Sequence, residues 1–297
     1  MTAPDRPALA ALWMTGAIAS FSAMAVATRQ IRGAHDTFEI LAYRSVAGFC
    51  LVVAGAALLG QLGRIRAQRL GGHAIRNICH FTGQSLWFWA ITMIPLAQVF
   101  ALEFTSPIWV ILLSPLVLGE RLTRRRLLAA ALGLVGVWIV ARPDFAAIDP
   151  GVLAAIGAAF FFAATTLMTK ALTRGEAIVG ILFWLTLMQA GFGFAAVLAD
   201  GRIALPTAAT LPWLALIGLA GVSAHLCLTT ALSLAPASSV VPVDFARLPL
   251  IAAIGAVFYA EPVELSLFVG AGLIFLGIWA NLSDATSAPQ VPSVTKP

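Results

Sequence analysis

The chain has 297 residues, of which 60% are hydrophobic and 10% charged, with a net charge of +5 and a mean hydropathy of +0.95. A soluble domain carries about 25% charged residues, so the composition excludes a soluble enzyme or binding module and indicates a membrane protein. The basic excess then marks cytoplasmic loops rather than a nucleic-acid surface.

A spanning helix needs about 20 mostly apolar residues. Ten segments qualify: 9–28, 38–60, 74–94, 97–118, 126–141, 151–171, 177–199, 212–234, 237–259 and 264–282. The first, with its small-residue pattern Ala23-Met24-Ala25, has the look of a signal peptide. The second carries Tyr43 and Arg44. The third carries His73, Asn77, His80, Gln84 and Trp87 at steps of four and three, which puts them on one helix face. The fourth holds Glu103 inside "AQVFALEFTSPIWVILL". A carboxylate at that depth must be neutralised, paired or hydrated. The fifth has Ala129 and Gly133 at small-xxx-small spacing, which suits close helix approach within the protein or in a dimer. The ninth carries Asp244 and Arg247, and residues 283–297 read as a polar, disordered cytoplasmic tail. Cys50, Cys79 and Cys227 lie in apolar runs without metal or disulfide spacing and read as small core residues.

With the N-terminus inside, eleven loop or tail Lys and Arg residues fall on the cytoplasmic side and four on the other, so both termini are expected in the cytoplasm. The chain also aligns with itself at an offset of 141 residues: Glu103 on Asp244, Phe104 on Phe245, Pro95 on Pro236, Val99 on Val240, Glu120 on Glu261, Gly136 on Gly277, Trp138 on Trp279, Arg29 on Lys170 and Tyr43 on Trp184. Removing the first span as a signal peptide would leave the sixth without its mate, so it is kept. Two copies of a five-span unit must enter the membrane from opposite sides, because five is odd. The expected architecture is therefore all-α and integral to the membrane: ten transmembrane helices as two inverted five-helix repeats, over 1–142 and 151–282. Each copy ends its penultimate span in an acid, in "LVLGERLT" (116–123) and "VFYAEPVE" (257–264).

In these features the chain resembles the drug/metabolite transporter superfamily and its EamA-type repeat, with Glu120 and Glu261 at the usual glutamate position. Through "HFTGQSLWFWAITMIPLAQV" (80–99) it is similar to the YddG-type aromatic amino-acid exporters. The resemblance implies a ten-helix basket in which spans 1–4 and 6–9 line a central cavity and spans 5 and 10 are peripheral.

His80, Gln84 and the repeat-related His225 (84 + 141) are candidates for a shared cavity surface. The alternative is interhelical hydrogen bonding, or a histidine satisfied by a backbone carbonyl. His73 and Asn77 read as near the interface, and Trp87 as cavity wall or lipid-facing packing. Asp244 and Arg247, at i and i+3, can neutralise one another. Glu103 is either a protonated coupling acid or half of a pair with Arg44 or Arg76. Glu261 and Glu120 read as structural or gating. Arg44 could hold a substrate carboxylate, while Tyr43, Trp87, Phe104 and Trp184 could pack a side chain. The run Phe160–Phe162 reads as mostly lipid-facing core.

The function expected is a secondary transporter of the bacterial inner membrane that exports amino acids, including aromatic ones, and related metabolites by alternating access. A proton-coupled multidrug exporter is the alternative. An intramembrane hydrolase using Ser223 and His225 is remote, because residues two apart on a helix diverge. No nucleotide-binding motif is present, so ATP is not the direct energy source. No cofactor, metal or nucleic-acid partner is expected, only a small-molecule substrate and the lipid bilayer, and the protein is expected to be a monomer.

Overall fold

The computed structural model describes residues 6–66, 68–118, 124–141, 149–172, 175–201, 203–234, 243–244, 246–262 and 264–287. Glu120, Pro236, Val240, Phe245, most of the connection 142–151 and residues 288–297 lie outside these. The described residues form eleven α-helices: α1 (Pro7–Gln30), α2 (Thr37–Leu58), α3 (Leu70–Met93), α4 (Leu96–Glu103), α5 (Ser106–Leu118), α6 (Arg124–Ala141), α7 (Pro150–Leu172), α8 (Ile178–Asp200), α9 (Leu211–Leu234), α10 (Arg247–Tyr259) and α11 (Leu265–Ser287). Among the described residues there is no strand beyond an isolated bridge between Arg32 and His35. The helices of 22–24 residues rise about 33–36 Å, enough to cross a hydrocarbon layer of about 30 Å. α1, α2, α7, α8 and α9 are long and apolar enough to do so by composition alone. α3 is equally long, at 24 residues, but carries the polar stripe.

The fourth span is not continuous. α4 ends at Glu103, Phe104 and Thr105 form a turn, and α5 starts at Ser106. The cause lies in the sequence. Pro107 has no N–H to offer the Glu103 carbonyl, so the ladder stops and restarts from the Thr105 carbonyl, which accepts from Ile108 at 2.8 Å. The ninth span is interrupted at the equivalent place. Val243 and Asp244 are helical, Ala246 is a turn, and α10 starts at Arg247, which is Ser106 plus 141. Each copy of the repeat therefore carries its acid at the break of a discontinuous helix.

The most extensive helix contacts all cross between the two copies: α1 with α9, α3 with α7, α2 with α8 and α6 with α11. Advancing each helix by five spans turns the first pair into the second and maps the other two onto themselves. That exchange is what a two-fold relation between inverted repeats produces. α6 and α11 pack on each other at one edge, beside α4 and α5. Close approach there needs glycine: a Cβ on Gly136 would lie 2.5 Å from the Gly270 carbonyl oxygen. Gly133 sits against Ile108 of α5, so this end of the small-residue stripe serves packing inside the chain.

Leu58, Leu116, Leu198, Val257, Phe258 and Leu265 are strongly exposed. On a soluble protein this would be an aggregation surface, and here it is the lipid-facing one. Three expectations need correction. Cys50 is exposed rather than a core residue. Phe160, Phe161 and Phe162 are half-buried, with Phe162 against His80 and Phe160 against Trp109, because α7 packs along α3 and α5. α11 continues to Ser287, so residues 283–287 are helical rather than part of a tail.

Candidate functional site

Two buried polar assemblies lie inside the bundle. The first is a chain of amides bounded by two arginines, built from α2, α3 and α8. Arg44 Nη1 donates to Gln84 Oε1 at 2.8 Å, and Gln84 Nε2 donates to Gln189 Oε1 at 2.5 Å. Gln189 Nε2 donates to Asn77 Oδ1 at 3.2 Å and to the Asn77 carbonyl at 2.9 Å. Arg76 Nη1 reaches the same Asn77 Oδ1 at 3.4 Å, and its Nε donates to Thr169 Oγ1 at 2.9 Å. Gly221 of α9 lets that helix lie against Arg44, for a Cβ there would stand 2.6 Å from the guanidinium Nε. The His80 and His225 rings meet edge to face at 5.1 Å, with Phe162 on one side and Phe21 on the other. A small cavity beside the chain is lined by Arg44, Ser45, Thr186, Gln189, Gly221 and His225, among others.

The second assembly sits at the two helix breaks. Arg247 Nη2 lies 2.8 Å from Asp244 Oδ2 and 3.1 Å from Glu103 Oε1. The other Glu103 oxygen accepts from the Trp87 indole at 2.8 Å. The guanidinium is also stacked over the rings of Phe21, Phe100 and Phe104 at 4.9–5.3 Å. One arginine of the second repeat thus holds both repeat-related acids, and α1, α3 and α4 supply its surroundings.

His80, Gln84 and His225, singled out by the stripe and the repeat relation, lie in one region, and Arg44 joins them there through Gln84. The partner of Glu103 is neither Arg44 nor Arg76 but Arg247, because α4 and α10 pack against each other. Trp87 is buried and anchors Glu103, which excludes lipid-facing packing. Phe104 lies under Arg247. Tyr43 and Trp184 are at opposite ends of the bundle. The Tyr43 hydroxyl donates to the Ala204 carbonyl in the connection before α9, and the Trp184 indole to the Arg66 carbonyl in the connection before α3. His73 and Asn77 are fully buried within the bundle, with His73, in the first turn of α3, 3.8 Å from Glu176 in the connection before α8. The sequence reading missed Gln189. It is an amide within an apolar span, and the same depth rule that singled out Glu103 would have found it.

Glu261, expected to be structural or gating, makes contacts that tie one helix end to another. Its carboxylate accepts from the Leu96 backbone N–H at 2.8 Å, capping α4, and lies 3.1 Å from Arg29. Burial pushes its carboxyl above the usual range, with Arg29 and the α4 amides pulling the other way. Ala260, the only described non-glycine residue with positive φ, at 51°, turns the chain to place it. Glu261→Ala is expected to cost about 1–2 kcal/mol as a lost cap, and Glu261→Gln less. Thermal unfolding in detergent would show this, and an unchanged midpoint in the alanine variant would remove the capping role.

The sequence model of the EamA-like transporter family matches residues 8–142 and again 149–283, the two matches being offset by the same 141 residues as the internal repeat. The chain belongs to the EamA-like transporter family. It is 32% identical to a riboflavin transporter of Rhizobium johnstonii over 91% of this chain and 90% of that protein. It is 30% identical to a riboflavin transporter of Vibrio cholerae over 94% of both. An S-adenosylmethionine uptake transporter of Rickettsia bellii is 24% identical over 83% of both chains. One solved crystal structure shares the fold with a TM-score of 0.69 and 20% identity, over 95% of this chain and 99% of that one. The protein is therefore a multi-pass membrane transporter of small metabolites and not an enzyme, which sets the hydrolase alternative aside. Export of amino acids is not what these relatives are named for.

Proposed function

We propose that the protein is a secondary transporter that carries small metabolites with a flat ring and a polar end, riboflavin-like compounds first and aromatic amino acids second, by alternating access. The observation that supports this most directly is the pairing of a buried amide and arginine chain with aromatic and histidine rings, next to helices broken at both repeat-related acids. Polar groups at this depth are costly unless they serve a pathway or one another, and broken helices at a repeat interface are where transporters bind cargo. Amide groups can match the imide edge of a flavin, and rings can stack on its face. Riboflavin also stands in the names of two relatives that match nearly the whole chain. Without an ATP site the gradient sets the direction, so uptake of one compound and export of another are the same cycle run oppositely.

The protein acts as a monomer in the bacterial inner membrane with both termini in the cytoplasm, on this reading, and Glu103, Asp244 and Arg247 couple or gate the cycle. Counterflow in proteoliposomes preloaded with unlabelled riboflavin or tryptophan is expected to accumulate the labelled compound. Flat traces for both would reject the proposed substrates. Cysteines placed in 203–210 should react from outside the cell, and reaction from the cytoplasm alone would reverse the topology.

A further inference from the structure

Four buried or nearly buried arginines can be compared within this one chain. Arg29 and Arg247 each have a carboxylate within 3.1 Å. Arg44 and Arg76 have none among the described residues, although they are only 7% and 3% exposed. They donate to uncharged oxygens of Gln84, Asn77 and Thr169, and Arg44 Nε has no hydrogen-bond partner among the described residues. The buried carboxylates of the interior are engaged elsewhere: Glu39 with Ala204 and Asp36, Glu103 with Arg247, Glu176 with His73, Glu261 with Arg29. Amides orient a guanidinium but do not neutralise it, and two uncompensated positive charges in a low-dielectric interior are strongly unfavourable. His80 and His225, which lie within electrostatic reach of both arginines, add no negative charge, and His80 Nδ1, His80 Nε2 and Arg44 Nε are without hydrogen-bond partners among the described residues. Arg44 borders the cavity, with the rings of His225 and, behind it, Phe21.

We infer that Arg44 and Arg76, tied together by the Gln84–Gln189–Asn77 chain, form an anion subsite whose missing counter-charge arrives with the substrate. Among the ring compounds carried, those bearing a carboxylate or a phosphate are then bound in preference to their neutral counterparts, riboflavin included, with the acid group at Arg44 and the ring against the His80, His225 and Phe162 side. This deepens the transport reading above and rests on it for the identity of the cargo, but the binding step can be measured separately. The bidentate geometry of a guanidinium suits either acid, so the test contains both.

The purified full chain in detergent would be titrated with matched pairs, tryptophan against tryptamine and flavin mononucleotide against riboflavin, following thermal stabilisation. The same pairs would be used in counterflow. The acid-bearing member is expected to bind at least tenfold tighter than its twin in at least one pair, the carboxylate and phosphate arms telling which acid is taken. Arg44→Met and Arg76→Met should abolish that preference while leaving the ligand-free melting temperature unchanged or higher, since each removes an unpaired buried charge. Merely structural arginines would instead lower it. Equal binding within both pairs, or no binding of any acid, overturns the subsite, even where neutral compounds are transported. Acid binding that depends on Arg44 without any counterflow would keep the subsite and overturn the transport reading.

Discussion

Arg247→Met is expected to lower the unfolding free energy by about 3–5 kcal/mol, the range for removing one partner of a buried pair. Glu103 and Asp244, whose side chains are only 14% and 25% exposed, would be left facing each other without their shared cation. Three aromatic faces would lose the guanidinium as well. Glu103→Gln should cost clearly less. Arg247 keeps Asp244 at 2.8 Å, and the glutamine oxygen can still accept from the Trp87 indole. The double variant should recover part of the Arg247→Met loss, since contacting residues do not behave additively. Transport by Glu103→Gln is expected to persist with its pH dependence flattened, because glutamine resembles the protonated acid and releases Arg247 to its own repeat. Melting curves and counterflow at acid and neutral pH would be read together. Equal destabilisation by both single variants, or a wild-type pH profile in Glu103→Gln, would remove the triad from the cycle.

Gly136→Val is expected to destabilise the fold by about 1–3 kcal/mol, as overpacking does in a close-packed interior. The obstacles are the Gly270 carbonyl oxygen at 2.5 Å and the Ile274 backbone nitrogen at 3.0 Å, so α6 and α11 must separate as whole helices. Gly133→Ala meets the side chain of Ile108 instead and should be milder. Both lie away from the polar chain, so the order of substrate preference should be unaltered. A Gly136→Val protein with a wild-type melting temperature would show that α6 and α11 are not held this closely.

The spans, their number and the duplication were determined by the sequence alone, for a physical reason: hydrocarbon demands long apolar stretches, and a repeat leaves its offset of 141 residues in the chain itself. The polar face of α3 was legible too, since helical period alone puts His80 and Gln84 on one side. Even the break in the fourth span was written there, as Pro107 four residues after Glu103, although a hydropathy reading runs straight across it. What only the tertiary structure decided is which distant groups meet. Glu103 and Arg247 are 144 residues apart, and nothing local tells Arg247 from Arg44 or Arg76 as the partner. Gln189 enters the amide chain only because α8 packs on both α2 and α3. Tyr43 and Trp184, paired by the repeat, tie connections at opposite ends of the bundle instead of meeting around a ligand. Charge neutralisation is a property of packing between helices, so the sequence shows which groups need a partner and the fold shows which of them, Arg44 and Arg76, are left without a carboxylate among the described residues.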